Sequence, residues 1–504
     1  MEDLQILSVK DSDKLIAVCG CTHGELELIY SQITEWETQN NYKVSFLICC
    51  GDFECVRDEF DLACMSVPDK YKKIKDFQRY YDGTKIAPIL TIFIGGNHEA
   101  MNYLKDLYYG GWVAENIYFL GYSGIINVNG LRIAGVSGIH NRSDWSKGYY
   151  EVYPFQYGEL KSSFHTRQYE IMKLALVKDP IDIFVSHDWP TLVGDWSDVR
   201  ALTRIKPYFK KDLQSRSLGS PHLSALCDMI QPRYWFSAHL HIHWEVTIEH
   251  KDLYGETTAV TKFLSLDKPI RGRGFLDIMG LTPRDKIKFC EDNMKRVYSS
   301  MRRFCPQGFQ VVHDEESESD ADMESSSEES KNSTTEPEEI KEEVKDSLKS
   351  EVSPAPESTT QVENEEEKES PFSKRDDQIS MDLEWLSIVK ITHPLMPIGK
   401  GRFNFDEYVH PLQEGHHKLI LEKEEVYKEL KDKNLDLNIP KLKNESLYTQ
   451  WDAEKCMNKQ SQAYIEMLDL DSTFFQAQIT SMQKTVVPPP SFTKPDNNEI
   501  SLDL

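Results

Sequence analysis

Between residues 14 and 243 the chain closes an apolar run on a short cluster of metal-capable side chains five times. "KLIAVCGC" leads into Cys21 and His23, "VSFLICCGD" into Asp52, and "PILTIFIGG" into Asn97 and His98. "IDIFVSH" ends on His187, and "RYWFSAHLHIH" carries His239, His241 and His243. Short apolar runs of this kind read as buried strands. In an α/β sheet the carboxyl ends of the strands converge on one crevice. Each cluster alone has a plain reading: a surface histidine, a GD turn, a small buried cysteine. Arriving together, they exceed what one tetrahedral ion takes. They suit two metals, with Asp52 as a carboxylate that can bridge them. Strand alternation puts His243 on the same face as His239 and His241. It is read as lining the site or facing RNA, not as a ligand.

The intervening sequence fits a layered α/β sandwich. Leu26, Ile29, Ile33 and Trp36 recur at helical spacing, which predicts a helix over about Glu25 to Trp36. "GIINVNGLRIAGVSG" alternates around Asn129-Gly130, a tight-hairpin signal. Residues 250 to 310 still look folded. Between Asp314 and Ser370 there are 22 acidic and 5 basic residues, a net of −17, so the rest of the chain carries only −25 − (−17) = −8. That segment is rich in Glu, Ser and Pro, cannot bury enough apolar area, and is expected to be disordered. Order is expected to resume near Ile379 and to continue as helix to about Tyr464, before a disordered tail.

The ten cysteines show no regular disulfide framework, which points to free thiols in a reducing compartment. There is no secretory signal and no apolar stretch long enough for a membrane. A soluble, intracellular protein is expected.

The order D-x-H, GD, GNHE, a lone His and GHxH is that of the calcineurin-like metallophosphoesterases, which residues 14 to 250 resemble. Two departures stand out: Cys21 replaces the first Asp, and "AHLH" replaces GHxH. With "CCGDFECVRDEFDLACMSVPDKY", "IGGNHEA", "YGGWVAENIYFLG", "SHDWP" and "YWFSAHLH", these departures look closely like the RNA lariat debranching enzymes. "TKFLSLDK" and "EWLSIVK" resemble that family's C-terminal domain. The resemblance implies a metallophosphoesterase β-sandwich flanked by helices, over 14–250. It also implies a mostly helical C-terminal domain over 251–313 and 376–465, interrupted by the acidic insert 314–375 and followed by the tail 466–504.

Carried over residue by residue, one metal pocket would use Cys21, His23, Asp52 and His241. The other would use Asp52, Asn97, His187 and His239. The resemblance implies Fe(II), Zn(II) or Mn(II), up to two ions. A thiolate ligand favours the softer Zn(II) or Fe(II) over Mg(II), and the neutral Asn97 amide makes the second pocket the weaker one. The implied reaction is hydrolysis of the 2′–5′ phosphodiester at a lariat branchpoint, with His98 facing the leaving oxygen. Branched RNA would be the partner, with splicing or intron-turnover factors beside it, and the address nuclear, extending to the cytoplasm.

Selection for the branch should lie outside the metal centre. Ser137 to Arg167 is a long connection with Tyr149, Tyr150, Tyr153 and Tyr157 among Arg142, Lys147, Lys161 and Arg167. Aromatic faces that stack on bases, beside cations that meet phosphates, are how single-stranded RNA is held. The segment takes the position of the lariat recognition loop, with Arg142, Lys147, Tyr149 and Tyr150 as expected contacts. "RIKPYFKK" (Arg204 to Lys211) is a second basic cluster, readable as an RNA track or as a solvated helix face. Two other functions stay open: a calcineurin-like phosphatase or phosphodiesterase of another substrate, and an RNA-binding pseudoenzyme scaffold.

Overall fold

The computed structural model describes residues 14–252, 254–283, 378–409, 413–443, 451–452 and 457–472. The expected acidic insert and most of the expected tail lie outside the described residues. In chain order the strands are β1 (Lys14–Cys19), β2 (Phe46–Cys49), β3 (Leu90–Phe93), β4 (Gly111–Ala114), β5 (Ile117–Phe119), β6 (Ser123–Val128) and β7 (Leu131–Val136). There follow β8 (Ile183–Ser186), β9 (Tyr234–Ser237), β10 (Trp244–Lys251), β11 (Thr257–Ser265), β12 (Leu276–Leu281) and β13 (Ile379–Met381). One sheet has the order β12-β1-β2-β3-β5-β4 and the other β10-β11-β9-β8-β7-β6-β13. The expected α/β sandwich is therefore present, with helices around it.

Strands β1, β2, β3 and β5 are parallel, as are β7, β8, β9 and β11. Of these, β1, β2, β3, β8 and β9 are buried almost throughout, which is why they read as continuous apolar runs, whereas β11 exposes part of one face. One apolar core joins residues of both sheets. A fully buried side chain in it, such as Ile48 or Phe93, contributes roughly 1.5–3 kcal/mol. The seven cysteines among the described residues, Cys21, Cys49 and Cys50 included, are buried and unpaired, as free thiols. Among the described residues no helix is long and apolar enough to cross a membrane.

The first helix runs Leu26–Asn40, one turn beyond the expected end at Trp36. Glu37 explains the difference. It continues the buried stripe, and its carboxylate accepts from the Val44 backbone N–H at 2.9 Å and pairs with Lys43 at 3.0 Å. Asn129 and Gly130 both take positive φ, 53° and 84°, and close the β6–β7 hairpin with Val128 opposite Leu131. That is the mirror-image turn in which Asn-Gly is favoured.

Two expectations about the C-terminal half need correction. The boundary at residue 250 falls inside the fold: β11 pairs with β9 and β10, and β12 pairs with β1. Nor is the segment after Ile379 a continuous helix. It begins as β13 on the edge of β6, then forms helices Leu383–Thr392, Glu414–Asp432 and Lys459–Leu468. Pro394 ends the first of these, because it lacks the N–H a continuing helix needs.

This segment is tied to the sandwich by buried charge. Arg132 on β7 donates to both Asp382 oxygens at 2.8 and 2.7 Å and to Glu384 at 2.9 Å. Lys423 reaches Glu384 at 2.6 Å. At the opposite edge, the Gln460 amide accepts from the Trp112 N–H at 2.7 Å and donates to the Trp112 carbonyl at 2.9 Å. It thus pairs with free main chain of β4 as another strand would.

Candidate metal centre

All five clusters sit just past strand ends, from β1, β2 and β3 of one sheet and from β8 and β9 of the other. The chain turns sharply there. His23, Asp52, His239 and His241 have φ of 44°, 48°, 61° and 49°. Left-handed backbone is costly for side chains of this size, and such strain gathers at functional sites. Two motif glycines allow the close approach. A Cβ on Gly51 would lie 2.3 Å from His187 Nδ1, and one on Gly96 would lie 2.2 Å from Asp52 Oδ1.

Donor atoms of Cys21, His23, Asp52 and His241 all lie within 4.8 Å of one another. His23 and His241 direct Nε2 at each other at 3.2 Å, and His23 Nε2 is 3.8 Å from Asp52 Oδ2. On the other side of Asp52, His187 Nε2 lies 3.3 Å from Oδ1 and 3.2 Å from the Asn97 side-chain oxygen. His187 is oriented by its Nδ1, which donates to the Cys50 carbonyl at 2.7 Å and leaves Nε2 for the site. The His239 ring lies 5.0 Å from the His187 ring, and its backbone N–H donates to Cys21 Sγ at 3.2 Å. A thiol, imidazoles and a shared carboxylate converging with nitrogens face to face fit divalent transition metals.

The electrostatics agree. Burial, then the Asp52 charge, holds the Cys21 thiol well above its ordinary range without a cation. Burial would raise the Asp52 carboxyl, but His187, His98 and His23 hold it well below the usual range. Burial and the neighbouring His23 and Lys268 bring His241 down to about 3, so it offers a lone pair. A metal at Cys21 must therefore displace a proton. Cys21→Ala is expected to cut metal content and rate at least tenfold without unfolding the domain. Cys21→Asp should shift preference towards Mn(II). Metal content and rate both unchanged in Cys21→Ala would make Cys21 a core residue only.

His98 is held by its backbone N–H, which donates to Asp52 Oδ1 at 2.9 Å, and its ring stands 5.2 Å from that of His23. Two carboxylates escaped the sequence reading. Glu54 accepts from His23 Nδ1 at 3.1 Å and fixes that ring. Glu99 is fully buried and accepts from the backbone N–H groups of Phe53, Glu54 and Gly96, at 2.7, 2.9 and 2.9 Å. Burial and the Asp52 charge push it up to about 7. Both stand inside the motifs GDFE and GNHE, so the signal was present but carried no role. His243 lies outside the quartet and bonds Asp277 at 3.0 Å.

The loop 137–167 is a correction in part. Tyr149, expected to stack on a base, is only 6% exposed. Its ring packs edge-on against Tyr122 at 4.7 Å, with the Arg167 guanidinium 5.1 Å over it. Arg167 is itself buried and paired with Glu151 at 2.5 Å. The aromatics and cations of a loop can satisfy each other as readily as RNA. Tyr149→Ala should therefore act as a core truncation, costing about 3–5 kcal/mol, read from the urea midpoint. Cleavage selectively lost at unchanged stability would contradict this. Tyr150 stays half-buried, flanked by Lys147 at 5.9 Å and Lys400 at 4.9 Å, and Arg142 is exposed.

Residues 14–243 match the calcineurin-like phosphoesterase family. Their fold and site chemistry agree with that match. The match covers a little under half of the chain. Residues 356–473 match the C-terminal domain of lariat debranching enzyme. Lariat debranching enzyme A of Xenopus laevis is 48% identical to the chain over 266 residues, covering 53% of this chain and 50% of that relative. The lariat debranching enzymes of Arabidopsis thaliana and Homo sapiens are 46% and 47% identical, over 52% of this chain and 62% and 49% of their own lengths. The chain thus spans about half to three-fifths of the length of these relatives.

Proposed function

We propose that the chain hydrolyses the 2′–5′ phosphodiester at the branch of lariat RNA, leaving a 2′-hydroxyl and a 5′-phosphate. The observation that carries this is the quartet Cys21, His23, Asp52 and His241, closed around one point and joined through Asp52 to His187 and Asn97. The relatives' names supply the substrate class. Cys21, His23, Asp52 and His241 would hold one ion, and Asp52, Asn97, His187 and His239 a second. Bound Fe(II), Zn(II) or Mn(II) supplies Lewis acidity and a water of lowered pKa. Asp52 keeps the two pockets in register. Its bond to the His98 backbone fixes that imidazole at the rim, where it can give a proton to the departing 2′-oxygen. Tyr150, Lys147 and Arg142 face the RNA. A lariat substrate implies action in the nucleus, among splicing factors.

The test is metal analysis together with cleavage of a synthetic branched RNA. Excess chelator should abolish cleavage, and Zn(II), Fe(II) or Mn(II) should restore it. Full activity after verified metal removal would sink the two-metal reading. Hydrolysis of a small chromogenic diester without cleavage of branched RNA would move the protein to another phosphoesterase substrate.

A further inference from the structure

Past His187 the chain forms three short helices, Val193–Trp196, Val199–Ile205 and Phe209–Gln214. They anchor inward through Val193, Leu202 and Phe209. Outward they present Trp196, Val199, Ile205 and Tyr208, which are 37, 42, 57 and 67% exposed. Arg200, Arg204, Lys206, Lys210 and Lys211 stand in the same stretch, against the three carboxylates of Asp195, Asp198 and Asp212. Asp198 is already engaged, accepting from the backbone N–H groups of Arg200 and Ala201. Nearby Arg216 pairs with Asp195 at 3.1 Å, but none of the five cations has a carboxylate partner among the described residues. Lys206 lies 5.9 Å over the Tyr208 ring. On a chain of net charge −25, a face of unneutralised cations around an exposed aromatic invites a polyanion. The face is tied to the strand that leaves the His239–His243 cluster. It follows His187 in the chain, and the indole N–H of Trp244, the residue after His243, donates to the Ser197 hydroxyl at 3.0 Å.

We infer that this face binds a single-stranded RNA arm leaving the branch, with Tyr208 stacking on a base and Lys206, Lys210 and Lys211 following its phosphates. The inference rests on the proposed substrate. It extends the contact surface from the bond being cut to the flanking nucleotides. A protein-binding face would be depleted of lysine at its centre, whereas lysine interleaved with an exposed tyrosine is the composition of a single-strand track. The cations make affinity salt-dependent through counterion release. Each phosphate contact on single-stranded RNA contributes about 0.7 to the logarithmic salt slope.

Two variants of the full chain test this: Tyr208→Ala, and the triple Lys206→Ala/Lys210→Ala/Lys211→Ala. Each is assayed on branched RNA with arms of one or two nucleotides and with arms of about ten. Binding of linear single-stranded RNA is followed by fluorescence anisotropy across a salt series. Tyr208→Ala should raise KM for the long-armed substrate roughly tenfold, with kcat and the short-armed substrate unchanged. The triple variant should flatten the salt slope by about 2. If wild-type protein cleaves no branched RNA, the proposed reaction fails. The linear-RNA affinities still decide the surface, whose loss in the variants supports it. Unchanged KM, RNA affinity and salt slope in both variants would overturn the inference and leave the face to a protein partner.

Discussion

Asp52→Ala is expected to reduce hydrolysis on the order of a thousandfold or more, with Asp52→Asn only partly better. Every other ligand-type side chain serves one side of the centre, but the Asp52 carboxylate serves both. Its Oδ1 faces His187 at 3.3 Å, and its Oδ2 faces His23 at 3.8 Å. Removing it takes a donor from each pocket at once. It also strands the His98 backbone N–H that Oδ1 accepts at 2.9 Å. Metal stoichiometry should fall for two ions, whereas Cys21→Ala should affect one. Mass spectrometry of the native protein and kcat/KM on branched RNA read the two effects together. A variant with both metals retained and a rate within tenfold of wild type would show that Asp52 does not bridge.

Arg132→Ala should destabilise the protein by about 3–5 kcal/mol, because it leaves the buried Asp382 carboxylate without its cation. Arg132 is the main cation on Asp382 and shares Glu384 with Lys423. Asp382 also caps the helix Leu383–Thr392 through the Trp385 N–H, at 2.9 Å. The loss should therefore loosen the whole segment after Ile379 before it melts the sandwich. Urea unfolding gives the magnitude, and limited proteolysis shows where opening begins. A stability change under about 1 kcal/mol would mean that water replaces the guanidinium, as at an exposed pair.

How much of this was legible in the sequence depended on range. The parallel strands β1, β2, β3, β8 and β9 could be read because burial leaves an almost uninterrupted apolar run, as in Phe46–Cys49. The β6–β7 hairpin could be read because Asn129-Gly130 states its own geometry. The partners of β12 and β13 could not, since each pairs with a strand far away in sequence, β1 and β6. At the site, the donor residue types announced themselves at strand ends. The residues that aim them did not. Glu54 and Glu99 act through single bonds to His23 and to three backbone N–H groups, and no spacing rule encodes those. Tyr149 shows the opposite failure. Its neighbours in sequence suggested RNA, but Arg167, paired with Glu151, lies over its ring and Tyr122 packs against it edge-on.

The last described residues of the chain finish what the first leave open. β6 ends one sheet until β13 adds to it, and β4 ends the other until the Gln460 amide occupies the main chain at Trp112. An uncovered strand edge is a template for another chain. During synthesis the sandwich strands through β12 leave the ribosome long before either cover does. For that interval the β4 and β6 margins face the crowded cell, exposed to pairing with other chains until the late segment docks.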